Sequence, residues 1–195
     1  MPGVAAMPSG AIGSDTTTST IAFLFYELSR HPELVEAADF DLSLAFDETL
    51  RLYPPAWIGP RRSLAPFELH GVRVPGGVPV EYSSWASHRL PDVWDEPDAF
   101  RPERFAPGNR ERIPKGAYVP FGGGSRTCIG MRFGQAEIGV IAAKVLERFR
   151  LQVDPGYALR VRQMPTIGPR DGLPVTVRAA APAAGIDPSP ALAAA

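Results

Sequence analysis

The segment FGGGSRTCIG, residues 121–130, constrains the fold of this chain more than any other. Its three consecutive glycines allow a tight loop whose backbone can approach a ligand closely. The next residues, MRFGQAEIGVIAAKVLERFR, predict the best helix of the chain, with an apolar face at Phe133, Ile138, Ile141, Val145 and Phe149. The only cysteine, Cys128, therefore comes just before a long helix.

The remaining sequence predicts further helices and a β-rich region. Helices are expected over residues 14–30 and 42–52, where prolines follow each apolar run. Residues 66–84 resemble short strands with turns at His70-Gly71 and at Pro75-Gly76-Gly77. An irregular but packed meander over residues 90–120 is expected, because it carries many aromatic side chains.

Composition excludes several classes of function. The 195 residues are 45% hydrophobic, enough for one domain or a piece of a larger one. Twenty basic and 21 acidic residues give a net charge of −1, which offers no general attraction to nucleic acid or anionic lipid. The sequence contains no membrane segment and no signal-peptide pattern. A single cysteine cannot form an internal disulfide, and we expect a cytoplasmic protein.

The setting of Cys128 indicates a reactive thiol, although a lone cysteine is often a small buried hydrophobe. Helix amides and glycines favour the thiolate, which is either a nucleophile or a metal ligand. Phosphatase chemistry would need an arginine six residues later, where Gly134 stands. None of the three histidines lies in a cysteine-hydrolase motif, and structural zinc needs more soft ligands. An axial ligand of haem iron needs no second protein ligand, and Arg126 can pair with a haem propionate.

The loop resembles the haem-binding loop of the cytochrome P-450 family, whose defined positions it matches at Phe121, Gly124, Arg126, Cys128 and Gly130. The resemblance implies haem b with the Cys128 thiolate as axial ligand to the iron. It also implies that Arg126 binds a propionate, that Phe121 packs by the sulfur, and that Gly122, Gly124 and Gly130 shape the loop.

Other segments resemble the family in the expected order. Glu48-Thr49-Leu50-Arg51 matches a Glu-x-x-Arg motif, and Arg104 lies in the matching meander segment. The resemblance implies a buried structural triad of Glu48, Arg51 and Arg104, whose charges must satisfy one another. Arg61 resembles a second propionate-binding arginine, with Arg62 as its close competitor.

The stretch GSDTTTST, residues 13–20, resembles the family's oxygen-binding helix. The resemblance implies that Asp15 and Thr16 are a catalytic acid–alcohol pair that relays protons to the oxygen-binding side of the haem. The alternative is that Ser14 or Asp15 merely caps a helix N terminus. Ile12 departs from the small residue expected before Gly13.

The resemblance covers residues 12–178 and implies a partial domain, the C-terminal half of the cytochrome P-450 fold, which is mainly α with small β-sheets (α+β). The short link from His31-Pro32 to Glu48 resembles soluble bacterial members more than membrane-bound ones. Residues 1–11 are expected to be poorly ordered, and the low-complexity residues 179–195 to be a disordered tail.

The implied function is a haem-thiolate monooxygenase that inserts one oxygen atom from dioxygen into a small organic substrate. A ferredoxin or flavin reductase would supply electrons at a surface carrying Arg110, Arg112, Lys115 and Arg132, unless these are plain solubility charges. Two alternatives stay open, a truncated remnant that binds haem weakly or not at all, and a peroxygenase or isomerase on the same haem site.

Overall fold

The computed structural model describes residues 9–180, with side chains from Ser14 onward. Within them the α-helices are α1 (Ser9–Arg30), α2 (Pro32–Glu36), α3 (Leu42–Leu52), α4 (Ser84–Ser87) and α5 (Met131–Arg148). The strands are β1 (Ile58–Arg62), β2 (Phe67–Leu69), β3 (Val72–Val74), β4 (Pro79–Ser83), β5 (Phe149–Val153), β6 (Val161–Arg162), β7 (Gly168–Pro169) and β8 (Val175–Ala179). The expected mixture of helices and small sheets is confirmed.

The strands of the described residues pair as four two-stranded antiparallel sheets, β1 with β4, β2 with β3, β5 with β8 and β6 with β7. The predicted turns lie between these strands. His70 and Gly71 adopt positive φ angles of 48° and 78° between β2 and β3, and Gly77 adopts 80° before β4. Each hairpin is too small to form a core of its own and relies on the helices it contacts.

The main core lies where α1, α3 and α5 meet. Leu24 and Leu28 of α1 and Phe46 of α3 are buried in it, as are the small residues Ala142 and Ala143 of α5, which allow close helix approach. Helix α3 begins where the Asp41 carboxylate accepts a hydrogen bond from the Ser43 amide at 2.8 Å, a standard N-cap contact. None of the helices among residues 9–180 is both long and apolar enough to cross a bilayer.

Two sequence expectations about helices are wrong in detail. Helix α1 begins at Ser9 rather than Ser14, so Asp15 lies in its second turn and neither Ser14 nor Asp15 is an N-cap. Helix α5 ends at Arg148, because Phe149 begins the strand that pairs with β8. In the predicted apolar face of α5, Ile138 and Val145 pack against the core, whereas Phe133 is 73% exposed.

The meander over residues 90–120 is packed, as expected from its aromatic content. Two 3-10 turns, Pro102–Phe105 and Arg110–Arg112, shape it, and Trp94, Phe105 and Ala117 form a second small core. Of the two expected terminal regions, residues 1–8 and 181–195 lie outside the described residues. The backbone of residues 9–11 belongs to α1, and Ala179 ends β8.

Candidate functional site

A cavity of about 560 Å³ lies between α1, α3, the Cys128 loop and the first half of α5. That volume falls within the usual range of small-molecule and cofactor pockets. The residues that line it are Ser14, Thr16, Thr17, Thr18, Thr20, Ile21, Phe46, Leu50, Pro55, Ala56, Pro120, Phe121, Cys128, Gly130, Phe133, Gly134, Glu137, Ile138 and Ile141. One wall is rich in threonine and the others are largely apolar.

The Cys128 loop is a folded turn tied to itself by backbone hydrogen bonds. The Cys128 amide donates to the Phe121 carbonyl at 2.9 Å, and the Thr127 amide donates to the Gly124 carbonyl at 3.2 Å. Gly122 and Gly124 have positive φ angles of 72° and 66°, which favour glycine. Cys128 lies three residues before Met131, the first residue of α5, and its thiol is free and exposed.

The residues at this cavity fit a haem group. Cys128 offers one soft donor, and within residues 14–180 no three histidine, cysteine or carboxylate side chains cluster to hold a metal ion. A metal bound here must therefore bring most of its ligands with it, as the iron of a porphyrin does. A Cβ atom at Gly130 would lie 3.9 Å from the Cys128 sulfur, so glycine at that position keeps one side of the thiol open.

The two residues of the predicted acid–alcohol pair both lie on α1 but differ in whether they line the cavity. Thr16 lines the cavity, whereas Asp15 does not. The Asp15 carboxylate accepts a hydrogen bond from Arg162 Nη2 at 2.9 Å and another from the Thr166 hydroxyl. These contacts, the Thr166 hydrogen bond first and then Arg162, hold the pKa of Asp15 below its ordinary value.

The two predicted propionate-binding arginines lie outside the cavity lining. Arg126 ends a 3-10 turn, Gly124–Arg126, and is exposed. Arg61 is exposed on β1, where its Nη1 donates to the Pro60 carbonyl at 2.8 Å and its guanidinium lies 5.5 Å from the Tyr82 ring centroid. Of the predicted cofactor-binding residues, the structure brings Phe121, Cys128 and Gly130 to the cavity, but neither arginine, nor Gly122 or Gly124.

Glu48, Arg51 and Arg104 are in contact beneath the cavity floor formed by α3. Arg51 and Glu48 are fully buried and form a bidentate pair, with Nε to Oε2 at 2.7 Å and Nη2 to Oε1 at 2.8 Å. Arg104 Nε lies 3.4 Å from Glu48 Oε1, an ionic contact without hydrogen-bond geometry. Burial raises the pKa of Glu48, and the hydrogen bonds from Arg51 oppose that rise.

Sequence reasoning missed the backbone partners of Arg51. Its Nη1 donates to the carbonyls of His88 at 2.8 Å and Pro97 at 2.7 Å, and its Nη2 donates to Ala99 at 3.0 Å. With the two bonds to Glu48, all five guanidinium N–H groups have acceptors. These carbonyls lie 37 to 48 residues along the chain, and no motif marks them.

His88 is a buried residue that no sequence motif marked. It is fully buried, and its two ring nitrogens contact the Arg51 carbonyl at 3.0 Å and the Val119 amide at 2.9 Å. Burial lowers the pKa of His88 from 6.5 to about 4, more than its hydrogen bond to the Arg51 backbone raises it.

The four basic residues expected at a docking surface have different environments. Arg110 pairs with the Asp47 carboxylate, which also accepts a hydrogen bond from the Tyr118 hydroxyl at 2.9 Å. The others, Arg112, Lys115 and Arg132, are exposed. Arg110 therefore makes a structural ion pair, in contrast to the other three basic residues.

Comparison with known proteins identifies the family. A model of the family Cytochrome P-450 matches residues 42–168. Cyclooctat-9-en-7-ol 5-monooxygenase of Streptomyces melanosporofaciens is 36% identical over 167 residues, which cover 75% of this chain and 36% of that protein. Cyclooctatin synthase of the same organism is 35% identical over 184 residues, covering 83% of this chain and 40% of that protein.

A vertebrate relative is equally similar. Cytochrome P-450 3A28 of Bos taurus is 34% identical over 158 residues, covering 70% of this chain and 31% of that protein. The matched part of the chain thus covers between 31% and 40% of the length of these curated relatives. With a family match over most of its residues and a thiol on an apolar cavity where the family motif lies, this chain belongs to the cytochrome P-450 family.

Proposed function

We propose that this chain carries the haem-binding part of a haem-thiolate monooxygenase that inserts one oxygen atom from dioxygen into a small organic substrate. The observation that carries the proposal is the exposed Cys128 thiol on an apolar cavity whose facing wall is lined by Thr16 and its neighbours. Family membership adds a second, independent support.

Cys128 is proposed as the axial ligand of haem b. The hydrogen bond from the Cys128 amide to the Phe121 carbonyl fixes the backbone of this residue just before the start of α5. Bound there, a haem with a thiolate ligand supplies the dioxygen activation and oxygen transfer of the reaction. Phe121 adds apolar packing next to the sulfur.

Arg126 and Arg61 are proposed to pair with the two haem carboxylates. Both are exposed, and the planar guanidinium of arginine matches a carboxylate in geometry. Gly122 and Gly124 hold the turn that carries Arg126, because their positive φ angles are costly for other residues.

On the opposite wall, Thr16 and Asp15 are proposed to hold protons for delivery into the cavity. The Thr16 side chain lies at the cavity surface. Hydrogen bonds from Thr166 and Arg162 lower the pKa of the Asp15 carboxyl, so these contacts favour its ionised form. We therefore assign Thr16 to direct contact with the cavity and Asp15 to the exchange of protons behind it.

A ferredoxin or flavin reductase is the proposed electron donor. The exposed cations Arg112, Lys115 and Arg132 can attract an acidic partner, whereas Arg110 is already paired with Asp47. A cytoplasmic location remains a prediction that rests on the single cysteine.

One observation favours a second candidate, a remnant that binds haem weakly or not at all. Three apolar side chains near the cavity are exposed, namely Ile129, Phe133 and Ile141. Exposed apolar surface of this kind is normally covered in a folded protein. The remnant and the monooxygenase differ in whether Cys128 ligates haem.

The test is haem titration of the 195-residue chain, followed by reduction and carbon monoxide addition. We expect the red-shifted Soret band of a thiolate-ligated haem, its loss in Cys128→Ser, and its retention in the loop control Thr127→Ser. Absence of that band in the wild-type chain would establish the remnant instead. Turnover with peroxide but not with dioxygen and a reductase would favour a peroxygenase.

A further inference from the structure

His88 is a buried titratable group to which the proposed reaction gives no role. It is fully buried, yet both its ring nitrogens have partners. The Val119 amide can only donate, so Nε2 of His88 is the acceptor of that 2.9 Å bond. Nδ1 must then carry the proton and donate to the Arg51 carbonyl at 3.0 Å, which makes the ring neutral and fixes its tautomer.

On one side, His88 is hydrogen-bonded to Arg51 of the buried Glu48–Arg51 ion pair. Arg51 Nη1 donates to the His88 carbonyl at 2.8 Å, while His88 Nδ1 donates to the Arg51 carbonyl. The two residues therefore hold each other through both side chain and backbone. Arg51 is itself fixed by the bidentate contact with Glu48.

On the other side, His88 reaches the start of the Cys128 loop. The carbonyl of Val119 accepts from the Gly122 amide at 3.1 Å and from the Ser84 hydroxyl at 3.3 Å. Two residues beyond Val119, the Phe121 carbonyl accepts the Cys128 amide at 2.9 Å. A continuous series of bonds thus leads from Glu48 to the thiol-bearing residue.

We propose that His88 is a positioning residue, whose Nε2 holds Val119 and with it the start of the Cys128 loop in fixed register with the buried Glu48–Arg51 pair. The consequence for metal ligation rests on the function proposed above. The contrary interpretation is that His88 only fills a buried site beside the Tyr118 ring, whose centroid lies 5.2 Å away.

Two amide variants separate these interpretations, because each replaces one ring nitrogen. In His88→Gln the side-chain carbonyl can reach the place of Nε2 and accept from Val119. In His88→Asn the shorter side chain reaches only the place of Nδ1 and can donate to the Arg51 carbonyl. If positioning of Val119 matters, Gln preserves the loop and Asn does not.

The first readout is amide hydrogen exchange measured by NMR on the whole chain, without haem. In His88→Asn we expect the Val119 amide to exchange about tenfold faster, as a lost buried hydrogen bond implies, and the Cys128 amide to follow it. In His88→Gln both stay within about threefold of wild type. The Val153 amide, bonded to Ser29 Oγ at 2.8 Å in another part of the fold, serves as the reference.

Equal acceleration of Val119 and Val153 in both variants, or no acceleration in either, would overturn the proposal.

The wild-type chain gives a test that does not depend on any variant folding. Its nitrogen-15 spectrum should show His88 neutral and protonated at Nδ1, and the Nε2-protonated tautomer would refute the assignment.

The second readout is the carbon monoxide spectrum after haem addition. If the wild-type chain ligates haem through Cys128, His88→Asn should lower the thiolate-ligated fraction at least about threefold while His88→Gln retains it. An unchanged fraction in His88→Asn would refute the positioning of Cys128. If the wild-type chain binds no haem, the proposed function fails, and amide exchange still decides the role of His88.

Discussion

Replacing Arg51 with lysine should be among the most destabilising single changes in this chain. Arg51 is fully buried and makes five hydrogen bonds, two to Glu48 and three to backbone carbonyls. A lysine ammonium has only three N–H groups, on one nitrogen, so at least two of these bonds are lost. Hydrogen bonds involving a charged group are worth about 1.5–3 kcal/mol each, which predicts a loss of about 3–6 kcal/mol in the free energy of unfolding.

Urea denaturation followed by circular dichroism measures this loss. The matched control is Arg160→Lys, where the arginine is 65% exposed and pairs with Asp171 at 2.8 Å. An exposed pair contributes little, so the control should change stability by less than about 1 kcal/mol. Loss of cooperative unfolding in Arg51→Lys alone would agree with the argument. A cost for Arg51→Lys no larger than that of the control would refute the view that the five contacts stabilise the fold.

Three further predictions follow from buried and strained positions. Burial lowers the pKa of His88 from 6.5 to about 4, so between these pH values the unfolded chain binds a proton at His88 and the folded chain does not. The free energy of unfolding should therefore fall by up to about 3 kcal/mol as the pH drops from 6.5 to about 4. The acid loss should be smaller in His88→Gln, and an equal drop in the free energy of unfolding between pH 7 and pH 4.5 in both chains, measured by urea denaturation, would contradict it. Phe46→Ala should cost about 3–5 kcal/mol in the same assay, because Phe46 is 1% exposed in the main core, whereas Leu64→Ala, at a side chain 98% exposed, should cost less than about 0.5 kcal/mol. Gly122→Ala should cost about 1–3 kcal/mol, because φ is 72° and the new Cβ would lie 3.1 Å from the Tyr82 hydroxyl; Gly123→Ala, with no atom within 4 Å, should have little effect in thermal unfolding.

The sequence predicted the structural features that depend on residues close together along the chain. The glycine turn before Cys128 and the helix after it follow from local patterns, and so does the Glu48–Arg51 contact across one helical turn. The order of helices and hairpins could be predicted for the same reason.

What could not be predicted depends on contacts between distant segments. Nothing in the local sequence pairs His88 with Arg51, or Asp15 with Arg162, because the acceptors and donors lie 37 and 147 residues apart. The apolar face of α5 was only partly predicted, for a related reason: Ile138 and Val145 pack against the core as expected. Phe133 and Ile141 have the right helical spacing, but the contacts with α1 and α3 decide which face is buried, and these two side chains line the cavity instead.

The dependence of α1 on the last strands has a consequence for biosynthesis. Its partners include Val153, whose amide donates to Ser29 Oγ at 2.8 Å, and Thr166, whose hydroxyl donates to Asp15. A ribosome delivers α1 first and these partners more than a hundred residues later. Until these partners have been synthesised, the apolar side of α1 stays exposed and can bind chaperones. Contacts between segments so distant in sequence make folding slow and prone to aggregation during translation.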